Sequence, residues 1–230
     1  MKYLIYIFIF ISLSSFGQSY KDVVNRINKN YSNLSALQLQ LTYRLYKGYT
    51  DTKIVHEYTG VYEKNGLKTY RKISDAEFIN FKDYALKINH KEKVIVVSKS
   101  VSLTAFDVDL EQTLSVCKDI KIVKKTNNST EIILILKNMN DIPYSQVRFV
   151  VDKNFWINSM TFYYAGQSNF GTFFEQDLDF AKLEVIYSKL NKATPRLNTI
   201  ELQDYIRITN DVITPAVKYA SYEIINLRKN

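Results

Sequence analysis

The sequence predicts a mainly β protein of the α+β class, built on one strongly curved antiparallel sheet or incomplete β-barrel of about ten strands. An N-terminal helix and a short mid-chain helix are expected to cover this sheet. Apolar and polar residues alternate with period two over most of the chain, which is the pattern of half-buried strands. Aromatic residues make up 14% of the chain, mostly as 18 Tyr and 13 Phe, and flat rings pack well on pleated surfaces. A sheet of this size curls, and two short helices do not cover its whole inner face. Another apolar group is needed to cover the rest.

Residues 1–17 have the pattern of a secretory signal peptide. Lys2 precedes an unbroken apolar run over residues 3–11, and small residues follow as far as Gly17. The run is too short to span a membrane, so cleavage after Gly17 and export to the periplasm are expected. No cysteine stands beside the cleavage site to be acylated, which predicts a mature chain without a lipid anchor.

The mature chain begins with a helix and a long strand. Val23, Ile27 and Tyr31 recur at helical spacing. They predict an amphipathic helix over residues 19–31. Period two then begins and continues over residues 37–46, which predicts a strand with its odd-numbered residues on the apolar face.

A hairpin and a meander follow. Asn65 and Gly66 separate two strand-like runs, over residues 53–64 and 67–73. Asn-Gly at this place predicts a type I′ turn, which requires positive φ at both residues. The meander is expected to continue over residues 78–81, 84–89 and 94–97.

The alternation is interrupted at residues 107–118. Leu110, Leu114 and Cys117 follow helical spacing there, which predicts a short helix with Cys117 on its inner face. Two strands are expected next, over residues 119–125 and 131–137.

The clearest hairpin of the chain spans residues 147–164. Alternating apolar residues flank the turn residues 152–154 on both sides, so one face of the hairpin is apolar. Beyond it we expect a loop over residues 167–179 and a last strand over residues 181–187.

No residue pattern indicates catalysis. His56 and His90 are the only histidines, and neither has cysteine or carboxylate neighbours at metal-binding spacing. The chain has no GxSxG sequence, and its six glycines provide no phosphate-binding loop. The acidic residues Asp107, Asp109 and Glu111 are explained by a helix start, where negative charge is favourable. The sequence therefore predicts a protein with no enzymatic activity, metal site or cofactor.

Charge and cysteine content restrict the partners. The formal charge of +8 comes from lysines spread along the chain, and such a diffuse field attracts anionic surfaces weakly. Peripheral contact with a membrane is therefore expected, whereas export argues against nucleic acid as a partner.

Cys117 is the single cysteine, so an intramolecular disulfide is impossible and stability comes from packing.

The order of these elements resembles the periplasmic lipoprotein-carrier fold, the LolA-like superfamily that includes the outer-membrane lipoprotein receptor LolB. The resemblance spans residues 19–191 and is carried by the segment from Tyr58 through Gly60 to Tyr62 and by the hairpin at residues 147–164. It implies three parts, which are a signal peptide at residues 1–17, a LolA-like β domain at residues 18–192 and a C-terminal extension at residues 193–230.

The chain also departs from the carriers. They typically have a proline and a tryptophan after the glycine strand, where this chain has Asn65-Gly66 and Tyr70-Arg71. Neither Arg44 nor Arg71 lies in a motif that matches the arginine of the carrier lid, so that role is not assigned to either.

The resemblance implies a non-catalytic periplasmic carrier, acting as a monomer, that binds the acyl chains of lipoproteins or other lipids in an apolar cavity. The side chains expected to line this cavity are Leu39, Leu41, Tyr43, Leu86, Phe149, Val151, Met160 and Phe162. The alternative is a periplasmic interaction module with the same shell, a filled core and no lipid ligand. Such a module would bind an envelope protein through a sheet edge or through the C-terminal extension.

Overall fold

A computed structural model of the chain describes residues 20–32, 34–100, 114–125, 128–139, 142–172, 175–189 and 196–228. Helix α1 spans Tyr20–Ser32, and its buried residues Val23, Val24, Ile27 and Tyr31 form one apolar stripe. The predicted N-terminal helix is therefore confirmed. A second, four-residue helix, α2, spans Arg196–Thr199.

Fourteen strands are present in the described part of the chain. In chain order they are β1 Ala36–Lys47, β2 Ile54–Asn65, β3 Lys68–Ile73, β4 Ala76–Asn80, β5 Tyr84–Asn89, β6 Val94–Lys99, β7 Cys117–Lys124, β8 Thr130–Leu136, β9 Tyr144–Val151, β10 Ile157–Asn169, β11 Leu178–Lys189, β12 Ile206–Thr209, β13 Val212–Pro215 and β14 Glu223–Asn226.

Twelve of these strands form one curved sheet in the order β14-β6-β5-β4-β3-β2-β1-β11-β10-β9-β8-β7. All neighbours are antiparallel except β14, which pairs in parallel with β6. Among the described strands the order runs from one edge to the other without closing, which confirms the predicted mainly β fold with an open, curved sheet. Strand β14, at one edge of this sheet, comes from the C-terminal extension, whereas β12 and β13 form a separate two-stranded hairpin.

Two hydrophobic cores are built on this sheet. The first core consists of α1 and the apolar face of β1, β2 and β8 to β11, with the buried residues Val23, Val24, Ile27, Tyr31, Leu37, Leu39, Leu41, Tyr43, Tyr62, Ile132, Leu134, Leu136, Val147, Phe149, Val151, Ile157, Met160, Phe162, Val185 and Tyr187. The second core joins β3 to β6 to the C-terminal segment through Tyr70, Ile79, Phe81, Leu86, Ile88, Ile95, Val97, Leu197, Ile200, Tyr205, Ile206 and Tyr219.

The pairing register places the two cores on opposite faces of the sheet. Tyr62 of the first core lies directly across from Arg71 on β3, so those two side chains share a face. Tyr70 of the second core is the next residue along β3, and successive strand residues point to opposite faces. The apolar face of the sheet therefore switches sides between β2 and β3.

Three local predictions were wrong. Within the turn only Gly66 has a positive φ, of 59°, because β2 continues through Asn65 and the turn has the pattern of type II′. Cys117 begins β7 opposite Leu136 and does not lie on a helix. Of the helix predicted over residues 107–118, Leu114 and Ser115 are helical, and residues 107–113 lie outside the described ranges.

The third wrong prediction concerns the loop at residues 167–179. Strand β10 continues to Asn169 and β11 begins at Leu178, so the connection spans residues 170–177 and is shorter than predicted. A register shift between Tyr163 and Gln167 lets the polar end of β10 stay paired, which apolar alternation alone does not reveal.

Candidate functional site

The structure brings seven of the eight predicted lining residues together in the first core. Leu39, Leu41, Tyr43, Phe149, Val151, Met160 and Phe162 are all 8% exposed or less. Leu86 does not belong with them. It lies in the second core, because its pairing partner Ile79 shares a face with Tyr70 and not with Tyr62.

A continuous apolar row crosses six strands of this face. The register connects Tyr43, Val185, Met160, Phe149, Ile132 and Ile122, from β1 through β11, β10, β9 and β8 to β7. Six neighbouring strands at a separation of about 4.8 Å give a row about 24 Å long. The row therefore extends from the middle of the sheet to its β7 edge.

Helix α1 covers the first core and is fastened at its C-terminal end. The Tyr31 hydroxyl accepts a hydrogen bond from the Ile157 backbone N–H at 3.2 Å, and its ring meets Trp156 edge-on at 5.0 Å. Asn30 donates to the Asn154 carbonyl at 2.7 Å, and the Arg26 guanidinium lies 4.9 Å from the centre of the Phe155 ring. These contacts all reach the turn between β9 and β10, so this end of α1 is attached to that turn.

The turn itself is held in a fixed shape. The Asp152 carboxylate accepts hydrogen bonds from the backbone N–H groups of Asn154 at 2.8 Å and Trp156 at 2.9 Å. Phe155 has a φ of 63°, an uncommon value for an aromatic residue. The shaped turn places the Phe155 and Trp156 rings against α1.

Tyrosine hydroxyls are grouped within the first core. The hydroxyl oxygens of Tyr43 and Tyr62 are buried and have no hydrogen-bond partner among the described residues. Tyr187 donates its hydroxyl proton to the Met160 sulfur at 3.2 Å. The Arg71 guanidinium lies 5.7 Å from the centre of the Tyr62 ring, so a cation borders this group.

Gly60 makes room for the Tyr43 ring. A Cβ atom at this position would lie 3.5 Å from Cε2 of Tyr43 and only 2.6 Å from the Lys72 carbonyl oxygen. The second distance is too short for any side chain, so glycine is required where β2 and β3 approach each other.

Burial keeps these hydroxyls protonated. It raises the pKa of Tyr62 to about 12 and also raises the pKa values of Tyr43 and Tyr187. The nearby charge of Arg71 acts in the opposite direction on all three and only partly offsets burial. At neutral pH these tyrosines are therefore neutral and able to donate hydrogen bonds.

The opposite face of these strands is polar. Arg44 forms an ion pair with Glu57 at 2.6 Å there, and Tyr46 donates to Glu184 at 2.9 Å. One pocket of about 270 Å³ lies beside Tyr46, and another of about 430 Å³ is lined by residues that include Gln40, Thr59 and Lys72. Both pockets are lined mainly by polar residues, so neither is the predicted apolar cavity.

The second core contains a hydrogen-bonded group that sequence reasoning missed. Nε2 of His90 lies 3.0 Å from the Glu77 carboxylate, and Nδ1 lies 3.0 Å from the Tyr222 hydroxyl. Tyr222 is 132 residues away from His90, so no local pattern links them. The described residues contain no cluster of three or more side chains suited to hold a metal ion.

Sequence reasoning also missed Tyr62, Tyr187 and Arg71 as neighbours of Tyr43. Tyr62 belongs to the segment that carried the family resemblance, and its alternation with Gly60 could have placed it on the apolar face. Arg44 and Arg71 lie on opposite faces, since Arg44 joins the polar face and Arg71 borders the first core.

No helix in the described ranges is long and apolar enough to cross a membrane. No family model matches the chain. A search of curated proteins also found no match.

Solved structures similar to this chain include an uncharacterized conserved protein from Thermus thermophilus, with a TM-score of 0.46 and 11% identity over 91% of this chain and 99% of that one. They also include a LolA superfamily protein from Nitrosomonas europaea, with a TM-score of 0.34 and 11% identity over 78% of this chain and 97% of that one. A DUF1329 family protein from Desulfovibrio piger has a TM-score of 0.33 and 9% identity over 73% and 89% of the two chains.

Proposed function

We propose that the protein is a non-catalytic periplasmic carrier that binds the acyl chains of lipoproteins or other lipids against the first core. The observation that carries this proposal is the apolar row from Tyr43 to Ile122. The row is about 24 Å long, whereas half of the ~30 Å bilayer hydrocarbon region is about 15 Å. An extended lipid tail therefore fits along the row.

Entry of an acyl chain requires α1 to leave the row. The three buried residues that precede its attached end, Val23, Val24 and Ile27, contribute about 5–9 kcal/mol at ~1.5–3 kcal/mol each. An acyl chain of about 15 methylene groups gains about 12 kcal/mol on burial, before the entropy of ordering it is subtracted. The two energies are similar, so an acyl chain can replace α1 with a small net change in free energy.

The attachment of α1 at one end suits such an exchange. The contacts of Asn30 and Tyr31 with the turn keep the C-terminal end in place while the rest of the helix moves outward. The chain's positive charge favours weak association with anionic membrane surfaces, where lipids are collected and delivered. The signal peptide predicted over residues 1–17 supports a periplasmic location for this activity.

The alternative function is supported by burial. All seven predicted lining residues of the first core are at most 8% exposed, as expected for a filled core. In that case the protein is an interaction module, and the edge strand β7 or the C-terminal segment binds an envelope protein without any lipid.

Lipid analysis followed by a titration tests the proposal. Protein purified from the periplasm is analysed for bound lipid by mass spectrometry, then delipidated and titrated with palmitate. Trp156 is the only tryptophan and packs against the first core beside the attached end of α1, so palmitate bound on this core is expected to change its emission. Copurified lipid and a saturable change with one palmitate per chain support the carrier. Absence of both would overturn it in favour of the interaction module.

A further inference from the structure

The first core contains polar groups that a closed apolar core does not need. Tyr43 is 8% exposed and Tyr62 is 1% exposed, yet neither hydroxyl has a partner in the described part of the chain. Buried polar atoms are nearly always hydrogen-bonded in folded proteins. Two such atoms on neighbouring strands therefore indicate a place where a further acceptor binds.

The two hydroxyls share their surroundings. Tyr43 on β1 and Tyr62 on β2 lie on the same face of the sheet, and Gly60 between them leaves space that the Tyr43 ring enters. Arg71 on β3 lies directly across from Tyr62. The Arg71 guanidinium lies 5.7 Å from the centre of the Tyr62 ring, and its charge lowers the pKa values of both tyrosines against the effect of burial.

The position of this group relative to the apolar row is equally specific. Tyr43 is the first residue of the row, and Tyr62 and Arg71 lie on the next two strands beyond it, in register with Leu39. Tyr187 is also nearby, but its proton is already donated to the Met160 sulfur. Two phenolic donors, with a guanidinium beside them, therefore lie where a tail running along the row would end.

We infer that the ligand is an amphiphile whose head group is an anionic oxygen acid, a carboxylate or a phosphate, bound by Tyr43, Tyr62 and Arg71. This inference rests on the proposed carrier function and specifies the ligand class of the same site. Phenolic O–H groups and a guanidinium donate hydrogen bonds, and carboxylate or phosphate oxygens accept them. An ammonium head group is excluded because it has no acceptor and carries the same charge as Arg71.

The test compares head groups on one tail length with the delipidated full chain. The probes are palmitate, its uncharged methyl ester and a lysophosphatidic acid with a 16-carbon chain. We expect at least one of the two anions to bind about tenfold or more tightly than the ester, since each charged hydrogen bond adds to affinity. The tighter of the two anions identifies the head group as carboxylate or phosphate.

The double variant Tyr43→Phe, Tyr62→Phe removes the two hydroxyls and keeps the rings. It is expected to bind anion and ester almost equally, with unchanged affinity for the ester. Because both hydroxyls lack a partner in the described chain, its thermal midpoint should equal or exceed that of the unchanged protein. Arg71→Gln should reduce the anion preference in the same direction. Tyr58→Phe is the matched control, because Tyr58 lies on the same strand and is 46% exposed.

Several results would overturn the inference. An anion preference that survives in the double variant, or a marked fall in its thermal midpoint, would mean that the hydroxyls have a structural role. Equal binding of acid and ester by the unchanged protein would refute the head-group assignment but leave the carrier function standing. Failure of every probe to bind would refute both.

Discussion

The two cores use opposite faces of one sheet, and the chain covers them differently. The second core is closed by the C-terminal segment, which adds β14 to the sheet and inserts residues from Leu197 to Tyr219. It is also joined through the His90 hydrogen bond to Tyr222. The first core is covered in the described chain by α1, which is attached to the sheet through one turn.

This difference separates stability from binding. A face closed by a paired strand, a helix and stacked rings has no element that can leave without disrupting the sheet. A face covered in the described ranges mainly by one amphipathic helix, α1, can exchange that helix for another apolar group at similar free energy.

Removal of residues 196–230 should have the largest effect. It deletes Leu197, Ile200, Tyr205, Ile206 and Tyr219 from the second core. At ~1.5–3 kcal/mol each, their loss of about 8–15 kcal/mol matches the whole stability of a typical domain. We expect no cooperative thermal transition in the shortened chain by circular dichroism. The substitution Val217→Ser, at a residue that is 72% exposed, is the control. Cooperative unfolding of the shortened chain near the original midpoint would mean that the extension is dispensable.

Matched truncations in the two cores should have similar effects on stability, but only the truncation in the first core should change binding. Ile27→Ala on α1 and Ile88→Ala on β5 each remove a fully buried side chain and should cost about 2–5 kcal/mol of unfolding free energy. Ile27→Ala weakens the cover that competes with the ligand, so palmitate should bind about tenfold or more tightly. Ile88→Ala should leave palmitate affinity unchanged. Equal affinities in both variants would contradict the division between the cores.

Alkaline pH should act on the first core through Tyr62. Burial raises its pKa from 10 to about 12, so the unfolded chain releases this proton first as pH rises. The contribution of protonated Tyr62 to the free energy of unfolding is fully present below pH 10 and is lost progressively as pH rises from 10 to 12. The shift of about two units corresponds to roughly 2–3 kcal/mol. Urea unfolding of Tyr62→Phe should show a shallower decline over this range, and an identical decline would refute this role of Tyr62.

The turn between β2 and β3, where the apolar face switches sides, should give the smallest effect. Gly66 has a φ of 59° with nothing near the place a Cβ would take, so Gly66→Val is opposed by backbone conformation alone. We expect a loss of about 1 kcal/mol or more in unfolding free energy. Leu67→Val, at a neighbour that is 77% exposed, should change little. An unchanged denaturation midpoint for Gly66→Val would mean that the turn is more adaptable than its φ indicates.

Local patterns were enough to predict much of the fold. Helix α1 and the hairpin of β9 and β10 were found within a few residues, because their apolar spacing and turn residues are contained in short segments. Seven of the eight residues predicted to line a cavity also lie together in the first core, since alternation within one strand fixes which residues share a face.

Relations between strands were not predictable in the same way. Leu86 was assigned to the wrong core. The face of β5 that is buried depends on the register between β2 and β3, in which Glu63 lies opposite Tyr70, and that register is set two hairpins before β5. The parallel pairing of β14 with β6 joins segments far apart in the sequence. Tyr62 and Arg71 likewise become neighbours only because β2 pairs with β3. Alternation along a single strand could not reveal this contact.

Hydrogen exchange of the delipidated chain, with and without saturating palmitate, tests the central claim most directly. If the acyl chain takes the place of α1 on the apolar row, amides of residues 20–32 should exchange faster in the complex. Amides of β14 and of the rest of the second core should be unaffected, because that face is closed by the chain itself. Exchange that changes at residues 223–226 but not at residues 20–32 would contradict the assignment of the first core as the ligand site.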